Sequence, residues 1–146
     1  MTGTAIVPLL LAASGLGTAR IPDQLAVLVL VREMERIPKD MILCAEVDHR
    51  DASATALASL RETGREVLPA SKCRWVVDVH KGSYEIRTKQ PVHFIAVWGA
   101  RSLPDGTLEL QAEEKYHGKW ASHWTVHARQ VRGEWEIVTF HLEWLA

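Results

Sequence analysis

From Cys73 to its end, the chain alternates apolar and polar residues with a period of two, and turn-forming residues interrupt the pattern. Successive side chains of a strand point to opposite faces of a sheet, so this period predicts strands with one face in the core. Tight turns are predicted at Pro104-Asp105-Gly106, Gly118-Lys119 and Arg132-Gly133. Strands joined by such short turns run antiparallel. We expect strands at 73–80, 84–88, 92–101, 107–117, 119–131 and 134–144.

The stretch 21–36 predicts a helix. Pro22 is tolerated in a first helical turn, and Asp23 suits the positive end of the helix dipole. A buried strand is the alternative, because three β-branched residues weaken the helical pattern, namely Val27, Val29 and Val31. Pro38 ends the element, since it disfavours helical geometry in the residue before it.

A buried strand and a second helix follow. Residues 41–47 form the apolar run of the strand. Asp51 or Ser53 then caps an alanine- and leucine-rich helix, and Gly64 stands where a left-handed residue ends a helix well. The chain contains no internal repeat or linker, so residues 20–146 are expected to form a single α+β domain.

Helix, strand, helix and then a long antiparallel meander resembles the nuclear-transport-factor-2-like (NTF2-like) and cystatin-like α+β superfolds. The likeness is carried by the element order and by the Trp-rich final strands. It implies two helices packed on a curved antiparallel β-sheet of five to six strands, with a conical cavity between them. These superfolds include small dehydratases and isomerases as well as non-enzymatic binding and accessory domains. No catalytic residue carries over, because no specific motif is shared.

The N-terminus reads as a leader. Residues 4–19 are apolar and become small, and Gly17-Thr18-Ala19 offers a small-x-small cleavage site just before Arg20. We therefore predict that residues 1–19 are a signal peptide and that the mature protein is periplasmic or secreted. No Lys or Arg precedes the apolar run and Pro8 interrupts it, so a disordered arm of a cytoplasmic protein is the alternative.

Hydropathy and charge argue against two kinds of partner. The uninterrupted apolar stretch falls short of the roughly 20 residues that a bilayer requires, so no membrane span is expected in the mature chain. The net charge is −1 and the basic residues are scattered, so nucleic acid is not expected either. The unidentified partner is expected to be a small molecule or a protein.

The two cysteines predict a disulfide. Cys44 and Cys73 both lie in apolar, strand-like segments. An oxidising compartment would allow them to pair, and closing that loop would stabilise the fold by roughly 3–4 kcal/mol. Two buried free thiols are the alternative. No CxxC spacing suggests zinc.

The seven histidines do not predict a metal site. His123 and His127 lie four residues apart on one predicted strand, which separates their Cα atoms by about 13 Å. Bonds from His to a metal are near 2.0–2.1 Å, so the two cannot bind one ion. No metal and no cofactor are predicted.

The turns predict which residues of the last three strands face each other. A two-residue turn at Gly118-Lys119 places Glu114 opposite His123, and a tight turn at Arg132-Gly133 places His123 opposite Leu142. One face is then expected to carry Leu108, Leu110, Ala112, Glu114, Tyr116, His123, Thr125, His127, Val138, Phe140, Leu142 and Trp144. The opposite face would carry Trp120, Trp124 and Trp135.

The first of these faces suggests a ligand pocket. Apolar walls with a few polar groups are typical of small-molecule sites, and the ligand-binding residues are predicted to be Tyr116, Thr125, His127, Phe140 and Trp144. Glu114 and His123 would form an acid–base pair there. A cross-strand charge pair without catalytic function is the alternative.

Three functions follow from this prediction. The first is a non-enzymatic ligand-binding or accessory protein. The second is a cofactor-free small-molecule enzyme of the isomerase or dehydratase type that uses Glu114 and His123. The third is a homodimer that associates through Trp120, Trp124 and Trp135, because aromatic residues are enriched in interface cores.

Overall fold

A computed structural model of the chain describes residues 19–146, so most of the predicted leader lies outside the described residues. Two helices pack against a mostly antiparallel sheet, and a short segment covers part of its other face. The helices are α1 (Asp23–Met34) and α2 (Ala54–Arg61). The strands are β1 (Ile42–Val47), β2 (Arg50–Asp51), β3 (Val67–Pro69), β4 (Cys73–Arg74), β5 (Tyr84–Glu85), β6 (Val92–Ser102), β7 (Leu108–His117), β8 (Trp120–Val131) and β9 (Glu134–Leu145).

Helix α1 confirms the helical prediction for 21–36 and excludes the strand alternative. Pro22 is its N-terminal cap residue and Asp23 lies in its first turn. One side of the helix is buried against the sheet through residues spaced three and four apart, namely Leu25, Ala26, Val29, Leu30, Glu33 and Met34. Glu33 is the one charged-type side chain in this otherwise apolar stripe.

Helix α2 begins where a cap was predicted, and Ser53 rather than Asp51 supplies it. The hydroxyl oxygen of Ser53 accepts a hydrogen bond of 3.0 Å from the backbone N–H of Ala56. Gly64 follows the helix with a φ of +85°, a left-handed conformation that suits glycine. The helix packs against α1 and buries Leu57 and Leu60 in the same core.

The sheet contains seven strands and is mixed. The strand order is β2-β1-β6-β7-β8-β9, and β3 also pairs with β1. The meander from β6 to β9 is antiparallel as predicted, whereas β1 runs parallel to both β3 and β6. The helices cover one face, called here the inner face, and the opposite face is called the outer face.

The segment after β3 lies on the outer face and is fixed there covalently. Cys44 of β1 and Cys73 of β4 form a disulfide with a Cα–Cα distance of 6.5 Å, which confirms the predicted bond. The predicted strands 73–80 and 84–88 are reduced to β4 and β5, two residues each. A turn closed by the Asp78 carbonyl, which accepts hydrogen bonds from two backbone N–H groups, interrupts the pattern there.

The predicted register of the β7–β8 hairpin is wrong by one residue. His117 faces Trp120 as expected, but Tyr116 is an extra residue that forms a bulge, and Lys115 faces Ala121. Beyond the bulge, Glu114 faces Ser122 and not His123. The bulge moves the rest of β8 to the opposite face from the predicted one, because side chains alternate with a period of two.

Two more irregularities change the register of β9. Arg129 faces Glu136 as predicted, but Val138 is an extra residue, so that His127 faces Thr139. A second shift follows near the end of the strand, and His123 faces Trp144 instead of Leu142. The predicted common face of twelve residues is therefore divided between the two faces of the sheet.

Candidate functional site

A buried polar cluster interrupts the apolar inner face at one end of the sheet. It consists of Glu33 in the last turn of α1, His93 on β6, Glu114 on β7 and Ser122 on β8. Glu33 and His93 have no exposed surface, and Glu114 is 5% exposed. Carboxyl groups are almost never buried to this degree unless they are paired, so this end of the core differs from ordinary packing.

Few hydrogen bonds hold the cluster together. The Ser122 hydroxyl donates a hydrogen bond of 2.6 Å to Oε1 of Glu114. Nε2 of His93 lies 3.4 Å from Oε2 of Glu114. Within residues 19–146, no hydrogen bond of good geometry reaches Oε2 of Glu114, either oxygen of Glu33 or either ring nitrogen of His93. Five buried polar atoms in one place are thus left without a protein partner.

Burial favours the uncharged form of all three titratable groups. It raises the pKa of Glu33 well above the ordinary value, with further contributions from Glu114 and Glu113, while the Ala96 backbone opposes the shift. Burial also raises the pKa of Glu114, against the hydrogen bond from Ser122. It lowers the pKa of His93 to about 4, an effect that the positive charge of Arg65 increases.

These protonation states give the cluster complementary hydrogen-bonding groups. A protonated carboxyl group donates through its O–H, and a neutral imidazole has one donor and one acceptor nitrogen. The His93–Glu114 distance is slightly longer than a hydrogen bond, as is common for acid–base pairs without a bound ligand. The cluster therefore contains donor and acceptor groups of the kind that a hydroxyl or carbonyl group can pair with.

Two aromatic rings separate the cluster from solvent at the tip of the β7–β8 hairpin. The Tyr116 ring stacks on His93 with a centroid distance of 5.3 Å, and Trp120 meets the imidazole edge-on at 4.7 Å. Trp120 is itself 41% exposed, so it forms the outer surface of this layer. We call Tyr116 and Trp120 the aromatic lid.

A loop on the outer segment fits closely against the aromatic lid. Gly82 leaves no space for a side chain, because a Cβ atom there would overlap the Tyr116 ring. The backbone N–H of Ser83 donates to the Tyr116 carbonyl, and that of Gly118 donates to the Val77 carbonyl, both at 2.9 Å. The loop that follows the disulfide therefore sets the position of the lid.

The remaining wall of the cluster is apolar with one cation. The guanidinium of Arg36 lies 4.1 Å from the centre of the Trp124 ring. The rings of Trp124 and Phe140 pack with their centroids 5.0 Å apart. The positive charge of Arg36 favours the ionised form of Glu114 but does not overcome the effect of burial on its pKa. The indole N–H of Trp124 is also buried without a partner in the described chain.

The structure separates the residues that the sequence predicted to share a site. Glu114 and Phe140 lie on the inner face, and Tyr116 lies in the aromatic lid. The other predicted residues lie on the outer face, namely His123, Thr125, His127 and Trp144. The proposed Glu114–His123 pair is wrong, because Glu113 is the residue that faces His123. A role for the other residues in ligand binding stays a prediction.

The three tryptophans of the predicted dimer face do not share a surface. Trp124 faces the core and is 4% exposed, and Trp135 packs partly against the same core. Trp120 is at the hairpin tip, in contact with His93. The geometric basis for association through these three residues is therefore absent, since the β7–β8 bulge turns Trp124 inward.

The sequence analysis missed Glu33 and His93, although signals for both exist. Glu33 falls three and four residues after Leu30 and Val29 on the buried stripe of α1. His93 alternates with Ile95 and Val97, which both face the core. If the helical period of α1 and the strand period of β6 are continued across polar positions, they place both Glu33 and His93 in the core.

Comparison with known proteins does not extend this description. No protein-family model, curated protein or solved structure matches the chain. Between residues 19 and 146, no group of His, Cys, Asp and Glu side chains is arranged to hold a metal ion, and no helix is long and apolar enough to cross a membrane. The structure defines an α+β protein with two helices on a mixed seven-stranded sheet and one disulfide.

Proposed function

We propose that this protein binds a small, mainly apolar and uncharged molecule, and that Glu33, His93 and Glu114 recognise its hydroxyl or carbonyl group. The observation that carries the proposal is the set of five buried polar atoms without a protein partner. Apolar surroundings and a few directional polar groups are typical of small-molecule sites. Burial raises the pKa of both carboxyl groups and so disfavours their charged forms, which favours a neutral ligand over an ion.

The energetic cost of the cluster supports a role outside folding. Each buried polar group without a partner costs about 1–3 kcal/mol, whereas a whole domain is stable by only about 5–15 kcal/mol. Apolar residues of similar volume often stabilise a core where buried charged or polar groups stood. A bound ligand that completes these hydrogen bonds would offset the cost.

Access to the cluster requires movement of the aromatic lid. Tyr116 and Trp120 cover His93, and the described structure corresponds to the closed form of the site. The lid is held by stacking and by two backbone hydrogen bonds to the neighbouring loop. Loops with few such contacts open at a lower free energy than the core, which supports entry at this end.

The fold and the disulfide are consistent with the finer parts of the proposal. An NTF2-like or cystatin-like protein would place its cavity between the helices and the sheet, the side on which Glu33, His93 and Glu114 lie. The Cys44–Cys73 disulfide hints at an oxidising, extracytoplasmic compartment, and we place the protein in the periplasm or outside the cell.

A second candidate function is cofactor-free acid–base catalysis of the isomerase or dehydratase type. The proximity of His93 Nε2 to Glu114 Oε2, at 3.4 Å, favours it, because a neutral imidazole is a base and a protonated carboxyl is an acid. One group would remove a proton from a carbon next to a carbonyl, and the other would return a proton elsewhere on the same molecule.

Both functions can be tested with 2-tetralone, an apolar bicyclic ketone. We expect calorimetric binding to the full chain, and we expect Glu114→Leu to weaken it about tenfold by removing both the donor and the acceptor of the carboxyl group. Glu113→Leu is the matched control, because this neighbour lies on the outer face and should bind as wild type does. Equal affinity in wild type and Glu114→Leu, or the absence of binding, would contradict the proposed site.

The same ketone separates binding from catalysis. Dissolved in D2O, 2-tetralone exchanges the hydrogens next to its carbonyl, and NMR follows this exchange directly. An enzyme should accelerate the exchange and lose that acceleration in both His93→Phe and Glu114→Gln. Binding without acceleration would leave the binding function and exclude proton abstraction from this ketone.

A further inference from the structure

A hollow lies on the outer face, away from the buried cluster. It has a volume of about 460 Å³ and lies between the β1–β2 hairpin and the segment that follows β3. Trp75 and Phe94 form one wall, and Arg50, Asp51, Glu46 and His49 form the polar side. Volumes of this order are typical of sites for small molecules.

The aromatic wall is exposed at Trp75, whereas Phe94 is buried, with 5% exposed. Trp75 and Phe94 meet edge-to-face with ring centroids 6.5 Å apart, and Trp75 is 37% exposed. The Lys115 ammonium lies 4.6 Å from the centre of the Trp75 ring and 5.9 Å from that of Phe94. An aromatic ring can pack here against other rings while a cation stands beside them.

The carboxylates at this hollow already have partners. Asp51 accepts hydrogen bonds from the backbone N–H and the hydroxyl of Ser71, at 2.7 and 2.6 Å. Glu46 lies 3.6 Å from the imidazole of His49. Ser71 and His49 therefore already engage the carboxylates of Asp51 and Glu46.

The two cations have no such partner. Within residues 19–146, neither Arg50 nor Lys115 forms a hydrogen bond or an ion pair with a carboxylate. Arg50 begins β2 directly after Asp48 and His49, two consecutive residues with left-handed φ angles of 53° and 61°. Such a conformation is unusual for residues other than glycine, and it fixes the direction in which Arg50 leaves the turn.

We propose that this hollow is a second binding site, and that it takes a small aromatic carboxylate. The ring packs against Trp75 and Phe94, and the carboxylate accepts hydrogen bonds from the Arg50 guanidinium, whose planar donors match a carboxylate in geometry. Lys115 contributes a second positive charge. The proposal is independent of the function proposed for the buried cluster.

The test is a titration of the full chain with 1-naphthoate, followed by NMR signals of the tryptophan indoles. We expect the Trp75 signal to shift in a saturable way and Arg50→Gln to weaken binding about tenfold. Trp75→Leu should weaken binding as well. The neutral analogue 1-naphthylmethanol, which keeps the rings and lacks the charge, should bind more weakly than 1-naphthoate.

Two matched variants complete the test. Arg132→Gln removes the same charge in the β8–β9 turn, and Glu114→Gln alters the buried cluster, so both should bind 1-naphthoate as wild type does. Equal binding of the charged and neutral analogues would overturn the proposal. So would an unchanged affinity in Arg50→Gln, a shift confined to other tryptophans, or no binding.

Discussion

The inner and outer faces of strands β7 and β8 carry similar polar residues and treat them differently. On the outer face, Nε2 of His123 lies 2.6 Å from Oε1 of Gln111, and Nε2 of His127 lies 2.9 Å from Oε2 of Glu109. Glu109 also forms an ion pair with Arg101. On the inner face, the Ser122 hydroxyl donates to Oε1 of Glu114, but Oε2 of Glu114 has no protein partner in the described chain. The same holds for Glu33 of α1 and His93 of β6, which lie on this side of the sheet. Polar groups are thus paired across the strands on the outer side and only partly paired on the inner side.

The difference shows that the sheet geometry does not prevent pairing. Cross-strand neighbours lie within reach on both faces, and the outer face uses this to satisfy its side chains in partly hydrated surroundings. The inner face is fully buried, where an unpaired group costs most. The partly paired cluster at one end of an otherwise apolar core is therefore where we propose that the ligand binds.

The largest effect that would test this comparison is the pH dependence caused by His93. Its pKa lies at about 4 in the folded protein against an ordinary value of 6.5, so the unfolded chain binds the extra proton between these values. The stability contribution that depends on His93 staying uncharged is complete above pH 6.5, and it is lost as the pH falls through 4. Wild type should lose about 3 kcal/mol relative to His93→Phe across this range, as measured by urea unfolding at several pH values. Parallel pH profiles would show that His93 is not buried as an uncharged group.

A smaller effect of opposite sign is expected at Glu33. Its pKa is raised, so its neutral form stabilises the fold at low pH, and this contribution is lost as pH rises through the folded pKa. Glu33→Leu should therefore increase the free energy of unfolding by about 1–3 kcal/mol at pH 7. The control is Glu35→Leu, an exposed neighbour expected to change stability by about 0.5 kcal/mol or less. A destabilised Glu33→Leu protein would assign the carboxyl a structural role.

The smallest effect is expected on the outer face. The hydrogen bond from His127 and the charge of Arg101 hold the pKa of Glu109 below its ordinary value. His127→Ala should raise that pKa and lower the stability at neutral pH by about 1 kcal/mol or less, with a smaller loss in acid where Glu109 is protonated. NMR titration of Glu109 and thermal unfolding measure the two quantities. A loss as large as the His93 effect would remove the distinction between the faces.

Local signals in the sequence predicted most of the elements. Pro22 and Ser53 indicate where the two helices begin, and the period of two from Val92 onward indicates the four long strands. These signals involve residues close in sequence, so the elements are placed close to their observed bounds. The disulfide was also predicted, since Cys44 and Cys73 are the only two cysteines. The parallel pairing of β1 with β6 was missed, because contacts between distant segments leave no local pattern.

The candidate site was predicted less well than the fold, for a physical reason. Glu114 was selected correctly as a buried polar residue, but its partner was assigned through a register that one bulge changed. Bulges depend on how strands twist and pack, and the nearby Gly118 indicates the turn without indicating the extra residue at Tyr116. One bulge that the sequence does not indicate therefore makes the predicted pairs of opposing residues wrong, while the predicted strands remain correct.

The bulge at Tyr116 adds a residue to the tip of the β7–β8 hairpin without changing which residues face each other below it. Removing Tyr116 would leave Lys115 opposite Ala121 and Glu114 opposite Ser122. The buried cluster would keep its cross-strand hydrogen bond and would lose the ring that stacks on His93. The extra residue therefore supplies half of the aromatic lid while the contents of the two faces stay the same.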